Sequence, residues 1–283
     1  MTRETTLSYQ VYVTPIIATA TNDVPPGQSR STWSPISATL ISGRQDAVLV
    51  DPLMTVEQGM AVADWVSTTG KNLTTVYVTH GHGDHWFGLG AVRERFPGVR
   101  AVATPAVVEG MRKWSSPEVL QSFWLPRFPG QIPEDNPVAD PLDGPFFELE
   151  GHRLVAVNLG HTDTDDTTAL HVPDLGLVVA GDSVYNGVHQ YLAESDSEGR
   201  KDWLAALDVI EALGPRAVVA GHKRYGNDDH PRHIEETRQY IRDFDRLDQE
   251  TSTAEELYRQ MLAIYPDRVN PGALWLSVQS AKA

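Results

Sequence analysis

Four times in this chain of 283 residues an apolar run of strand-like period stops, and a side chain able to ligate a metal follows within a residue or two. The segments are VYVTHGHGDH (76–85), LVAVNLGH (154–161), LGLVVAGD (175–182) and RAVVAGH (216–222). Strands of one sheet can bring their ends to a common edge, so this recurrence points to a sheet-based fold whose strand ends converge on a site. The first segment is the densest. His80 and His82, two apart in extended chain, point to the same side and can share one cation. Gly81 and Gly83 are expected to let the chain turn, so that Asp84 and His85 reach a second position. Together the segments offer seven nitrogen or oxygen ligands, His80, His82, Asp84, His85, His161, Asp182 and His222. That is enough for two cations, each left with room for water.

Composition narrows the chemistry. Cysteine is absent, so no thiolate ligand, disulfide or cysteine nucleophile exists and the expected nucleophile is water. A formal charge of −15 without a basic patch repels phosphate backbones, so no nucleic-acid partner is expected. No apolar run approaches the roughly 18 residues that span a bilayer, so no membrane partner is expected. The start, MTRETTLSYQVYV, lacks the apolar core of a secretory signal, and a cytoplasmic location is the default expectation.

Along the chain, residues 9–20 and 36–51 read as strands, the second with a hairpin turn at Gly43 to Asp46. Trp33, in the turn-rich stretch between them, is a candidate wall residue for the site. Met60, Ala63 and Val66 predict a helix from Glu57 to Thr69, followed by a strand at 76–79. A helix carrying Leu89, Val92 and Phe96 on one face comes next, then a strand over 99–105. Segment 105–148 breaks the rhythm with eight prolines and the aromatics Trp114, Phe123, Trp124 and Phe128. It reads as an insert, helical from Ala106 to Leu125, that packs on the body or roofs a pocket. Strands return at 146–160, turning at Gly151-His152, and at 169–181 with a hairpin through Pro173 to Gly176. Trp203, Leu207, Ile210 and Leu213 predict a helix from Asp202 to Leu213. Residues 231–283 read as a helical extension, with a capping box at Thr253 and Glu256 and a helix ending near Pro266. Nothing marks an internal boundary, so one domain over 1–283 is expected.

The order H-x-H-x-D-H at 80–85, GHT at 160–162, GD at 181–182 and GH at 221–222 resembles the metallo-β-lactamase-fold superfamily of metallohydrolases. The resemblance implies an α+β fold, an αββα four-layer sandwich with two sheets face to face, helices outside and metals at one edge. It implies that His80, His82 and His161 hold one metal, that Asp84, His85 and His222 hold the second, and that Asp182 bridges them. Zinc is the usual occupant, and manganese and iron also suit the ligand types. The stretch GHTDTDDTT departs from the family pattern, and its Asp163, Asp165 and Asp166 are read as acceptors that orient ligand histidines. Asp182 stands where true β-lactamases generally lack a bridging aspartate, which resembles the lactonase and thioesterase branches.

Two such cations, about 3.5 to 4 Å apart, share a hydroxide at neutral pH. It is expected to cleave an ester, lactone or thioester of a small or medium organic substrate. Asp84 is expected to bind metal and steer the hydroxide. Tyr185 and His189, shortly after Asp182, are the candidates for protonating the leaving group. A phosphodiesterase or nuclease of the same fold is the first alternative, and it lacks the basic phosphate contacts it needs. A mononuclear iron enzyme like the persulfide dioxygenases needs one metal only, and the complete second ligand set speaks against it. A non-catalytic member is expected to have lost ligands, and none is missing.

Overall fold

The computed structural model describes residues 6–283, so the first five residues of the MTRETTLSYQVYV start lie outside the described residues. The chain opens with β1 (Ser8–Val13), the short pair β2 (Ile17–Ala18) and β3 (Thr32–Trp33), and the predicted hairpin of β4 (Ser37–Ser42) and β5 (Asp46–Val50). Next come α1 (Val56–Thr68), β6 (Asn72–Tyr77), α2 (Leu89–Arg95), β7 (Arg100–Ala103) and α3 (Pro105–Trp114). A second helical run follows, α4 (Pro117–Val119) passing through a π-turn at Leu120–Trp124 into α5 (Leu125–Arg127). Then β8 (Asp140–Pro141), β9 (Phe146–Leu149), β10 (His152–Gly160), β11 (Thr167–Val172) and β12 (Leu177–Asn186) lead to α6 (Ser197–Ala212). β13 (Ala217–Lys223), α7 (Arg232–Glu250), α8 (Ala254–Ile264) and α9 (Pro271–Ala281) complete the chain.

Two sheets result, one ordered β1-β4-β5-β6-β7-β8 and the other β13-β12-β11-β10-β9. β5 through β8 run parallel, which requires long crossovers, and α1, α2 and α3 lie within them on the sheet's outer face. Side-chain alternation then sorts the core into layers. Val48 and Val50 of β5, Tyr77 and Val102 face inward and meet Leu154, Leu170, Val179 and Val219 of the second sheet. Their neighbours Ala47, Leu49, Val76 and Ala101 face outward onto Val62, Val66, Leu89 and Val107 of the helices. Val178, Ala180, Val218 and Ala220 pack outward in the same way on Trp203, Leu207, Ile241 and Phe244. Each buried Val, Leu, Ile or Phe among them contributes about 1.5–3 kcal/mol. The stacking is helix, sheet, sheet, helix, the αββα sandwich that the sequence implied.

Several boundaries differ from the sequence reading for local reasons. α6 starts at Ser197 because Asp196 caps it, accepting from the backbone N–H of Glu198 and Gly199. The β9–β10 turn falls at Glu150 and Gly151, both at positive φ, and not at Gly151-His152. α9 has no separate counterpart in the sequence reading; its Pro271 occupies the first turn, where the missing N–H costs nothing. No helix among the described residues is long and apolar enough to cross a membrane.

Glu150 ties the two sheets together at one corner. Its carboxylate accepts from the backbone N–H groups of Asp46, Gln45 and Arg44 at 2.7–2.8 Å. Gly43 makes room for it, since a Cβ there would lie 2.6 Å from Glu150 Cδ. Those donors hold the carboxyl down at about 2. A depressed folded-state pKa stabilises above the ordinary glutamate range, and the contribution is lost as pH falls from there toward the folded value. Glu150→Gln is therefore expected to lower the Tm at neutral pH, with the gap to wild type narrowing between about pH 5 and pH 3 in thermal unfolding. A gap independent of pH over that range counts against the charge-assisted cap.

Candidate metal centre

β5 ends at Val50, and the next residue, Asp51, adopts a left-handed φ of 57° that aims its side chain at the loop after β6. Asp51 accepts from Thr79 N at 2.9 Å and Thr79 Oγ1 at 2.7 Å, and lies 3.3 Å from His85 Nδ1. Because Thr79 gives its one hydroxyl proton to Asp51, it can only accept from His80 Nδ1, 3.0 Å away. His80 is thereby left with a bare Nε2. The same device recurs around the centre. His222 Nδ1 donates to Pro35 O at 2.9 Å, and His82 Nε2 meets Glu194 Oε1 at 2.9 Å. Thr164 Oγ1 holds the other oxygen of Glu194 at 2.8 Å. His80, His82 and His222 thus have their outer nitrogens engaged and turn the other toward the cluster, while His85 faces Asp51 without an aligned hydrogen bond.

The inner nitrogens meet three carboxylates. His80, His82 and Asp163 form one trio, and Asp84, His85 and His222 another; His80, His85 and Asp182 join the two. Within each trio the ligand atoms lie within 4.8 Å of one another. Asp163 Oδ2 is 2.9 Å from His82 Nδ1 and 3.6 Å from His80 Nε2. Asp182 spans the middle, with Oδ1 3.2 Å from His85 Nε2 and Oδ2 3.0 Å from His222 Nε2. It sits where β12 bulges, at Gly181 with φ 53°, a position packed so tightly on Thr79 that a Cβ would lie 2.6 Å from its Oγ1.

The donor set fits divalent cations. His80 Nε2, His85 Nε2, Asp163 Oδ2 and Asp182 Oδ1 are buried without an aligned hydrogen bond. Each such atom costs about 1–3 kcal/mol if nothing binds it. Burial opposes ionisation of Asp84 and Asp182, yet the histidines beside them hold both below the usual carboxylate range. Burial likewise opposes a charge on His222, and Asp182 with Asp84 overcomes it, pushing its pKa up to about 10. His82 and His85 are raised for the same reason, against burial, by Glu194 with Asp163 and by Asp182 with Asp84. A buried pocket this rich in ionised carboxylate attracts positive charge, and bare nitrogens and oxygens are the ligands that zinc, manganese and iron accept.

The centre floors a cleft open to solvent. Trp33, Trp114, Phe123, Trp124, Tyr191 and Trp275 wall it. Trp33 also donates its Nε1–H to Asp84 Oδ2 at 3.0 Å. The 105–148 insert, through Trp114, Phe123 and Trp124, therefore helps to enclose the cleft.

The family model for the metallo-beta-lactamase superfamily matches residues 31–222, which contain every member of the three trios. The chain belongs to the metallo-β-lactamase superfamily. Solved structures of the superfamily share its fold at low identity. A metallo-beta-lactamase family protein from Thermus thermophilus is 22% identical over 96% of this chain and 91% of its own, with a TM-score of 0.62. A metallo-beta-lactamase from Pontibacter korlensis is 19% identical over 82% of this chain and 99% of its own, with a TM-score of 0.60. FIM-1 from Pseudomonas aeruginosa, in its mono-zinc form, is 17% identical over 84% of this chain and 91% of its own, with a TM-score of 0.56. No curated protein sequence matches.

Against the superfamily pattern, one expected ligand is displaced. His161 does not join the cluster: its Nδ1 is 2.6 Å from Asp165 Oδ1, its Nε2 2.9 Å from Ser195 Oγ, and both nitrogens are engaged. Gly199 lies against the ring, where a Cβ would come within 2.7 Å of Nε2. Asp163 occupies the third position of that trio instead, fully buried. The role expected of Asp165 is thus spent on a histidine outside the cluster, and Asp166 turns the chain at φ 58°. Tyr185 reaches the centre, but its OH donates to Asp182 Oδ2 at 3.0 Å. His189 does not reach it. Its backbone N–H bonds Val269 O and its Nδ1 lies 3.0 Å from Tyr240 Oη, and burial drives its pKa down to about 3. Gly81 and Gly83 are needed for space and not for a left-handed turn. A Cβ at Gly81 would lie 2.8 Å from the Gly110 carbonyl carbon, and one at Gly83 2.2 Å from the Phe87 ring. Sequence reading missed Asp51 and Glu194 altogether; an aspartate directly after the apolar AVLV was the available signal for the first.

Proposed function

We propose that this protein is a dinuclear metal-dependent hydrolase that cleaves an ester, lactone or thioester of a partly apolar organic substrate. The observation that carries this reading is the pair of trios joined through His80, His85 and Asp182 at the floor of an aromatic cleft. His80, His82 and Asp163 hold one divalent ion, and Asp84, His85 and His222 the other, with Asp182 between them. When bound, such a pair supplies an activated water near neutral pH and polarises an acyl oxygen. Asp84 stays ionised and is oriented by the Trp33 indole, so it can hold the attacking water by its proton. Tyr185, kept protonated by burial and by Asp182, positions that carboxylate and is not available to the leaving group. The aromatic walls exclude bulk water and favour an apolar acyl group.

A second reading has one observation in its favour. Two histidines and one carboxylate, the set His80, His82 and Asp163, also suit non-haem iron. Metal analysis separates the two. The hydrolase reading expects two metal equivalents per chain in elemental analysis, and turnover in a screen of lactones, aryl esters and thioesters. His82→Ala is expected to lose one equivalent and all measurable hydrolysis while keeping its circular dichroism. A single iron per chain, with no hydrolysis by the wild type, overturns the hydrolase reading.

A further inference from the structure

The walls of the cleft hold a charged group for which neither the metal ligands nor the scaffold accounts. Arg127, in α5, is the single Lys or Arg side chain lining the cleft among the described residues. Its guanidinium lies 3.9 Å from the centre of the Phe123 ring and donates through Nη1 to Phe123 O at 2.9 Å. No carboxylate among the described residues comes within 4.0 Å of it. Asp23, the carboxylate whose charge reaches it, accepts instead from Trp275 Nε1 at 2.8 Å and Gln279 Nε2 at 3.2 Å. A half-buried guanidinium without an anion partner, in a chain of net charge −15, stands out.

The same cleft holds an unused hydroxyl. Thr19 also lines the cleft, and its Oγ1 is buried with no hydrogen-bond partner. The backbone N–H of Ala20 bonds Arg127 O at 2.9 Å, which sets the strap carrying Thr19 against Arg127. The path from this corner to the metal centre is aromatic. Phe123 lies under Arg127, Trp33 stands 6.2 Å from Phe123 between ring centroids, and the Trp33 indole bonds Asp84.

We propose that Arg127 and Thr19 form an anion subsite, so that the substrate carries a carboxylate separated from its scissile acyl group by an apolar or aromatic segment. The guanidinium offers a fork of N–H donors matched to a carboxylate, and the rings cover the segment between. That a substrate fills the subsite rests on the hydrolase reading; the subsite itself does not.

The test uses the metal-loaded protein and two ligands of equal chain length, octanedioate and octanoate, with binding read by calorimetry. Either can place one carboxylate at the metals, so only the second carboxylate of octanedioate reports on Arg127. Wild type is expected to prefer octanedioate by at least about tenfold. Arg127→Met, which keeps an apolar stem on Phe123, is expected to bring the ratio near one, and Arg127→Lys to leave it intermediate. Thr19→Val, expected to lower the ratio a few-fold, serves should Arg127→Met not fold. A ratio near one in wild type, or one that Arg127→Met leaves unchanged, overturns the proposal. A parallel assay compares mono-4-nitrophenyl octanedioate with 4-nitrophenyl octanoate. Hydrolysis of neither, with the binding preference intact, defeats the hydrolase reading and keeps the subsite; equal KM values for both defeat the subsite and keep the hydrolase.

Discussion

Asp163→Ala is expected to bind one metal equivalent where the wild type binds two, and to lose about a thousandfold in turnover. The reason is geometric: Asp163 Oδ2 sits 2.9 Å from His82 Nδ1 and 3.6 Å from His80 Nε2 and has no aligned hydrogen bond. Without it, the two histidines are left to hold the first ion with no carboxylate of their own trio. Lewis-acid stabilisation is worth several kcal/mol and each 1.36 kcal/mol is tenfold, which gives a loss of about three decades. His161→Ala, by contrast, is expected to retain both equivalents, because both nitrogens of His161 are committed to Asp165 and Ser195. Elemental analysis and turnover of the two variants side by side decide the matter. Loss of an equivalent in His161→Ala with full loading of Asp163→Ala shows that the ring swings in to ligate and that the present assignment is wrong.

The second large effect is expected from Gly221→Ala, which touches no ligand by substitution. A Cβ at residue 221 would lie 2.2 Å from Asp182 Oδ1, 2.8 Å from the carbonyl carbon of Gly181 and 2.9 Å from His85 Cε1. Asp182 could rotate away, but the Gly181 backbone cannot, so the strand or the cluster must move. Overpacking of this kind costs about 1–3 kcal/mol in stability. The displacement falls on the carboxylate shared between the trios, so the expected outcome is loss of at least one metal equivalent and a fall in turnover of at least about a hundredfold. Gly98→Ala is the reference, since nothing lies within 4 Å of its Cβ. Normal metal content and turnover in Gly221→Ala show that the cluster absorbs the added methyl group, and the packing argument then fails.

How far the site was legible follows from what each ligand depends on. His80, His82, Asp84 and His85 share one short loop, and Asp182 and His222 lie on adjacent strands, so their convergence follows from strand alternation and strand ends. The Asp163 for His161 exchange could not be read, because the two differ by only two positions in one loop and either can face the metals. Ser195 and Gly199, at the start of α6, hold His161 outside. His189 looked well placed because it follows Asp182 closely, but the chain leaves the strand and passes under α7, where Tyr240 takes its ring.

The chain's own pattern of alternating apolar residues determined the layers, the sheet faces and six of the cluster's side chains, since those depend on period and on neighbours a few residues away. Tertiary structure alone decided which nitrogen of His222 and of His82 faces the cluster, because the partner that fixes it comes from afar: Pro35 for His222, Glu194 for His82. It also decided that Arg127 lines the cleft with no carboxylate among the described residues within ion-pair distance. Pattern is a local property of sequence, whereas a hydrogen bond across the fold exists only once the layers have closed.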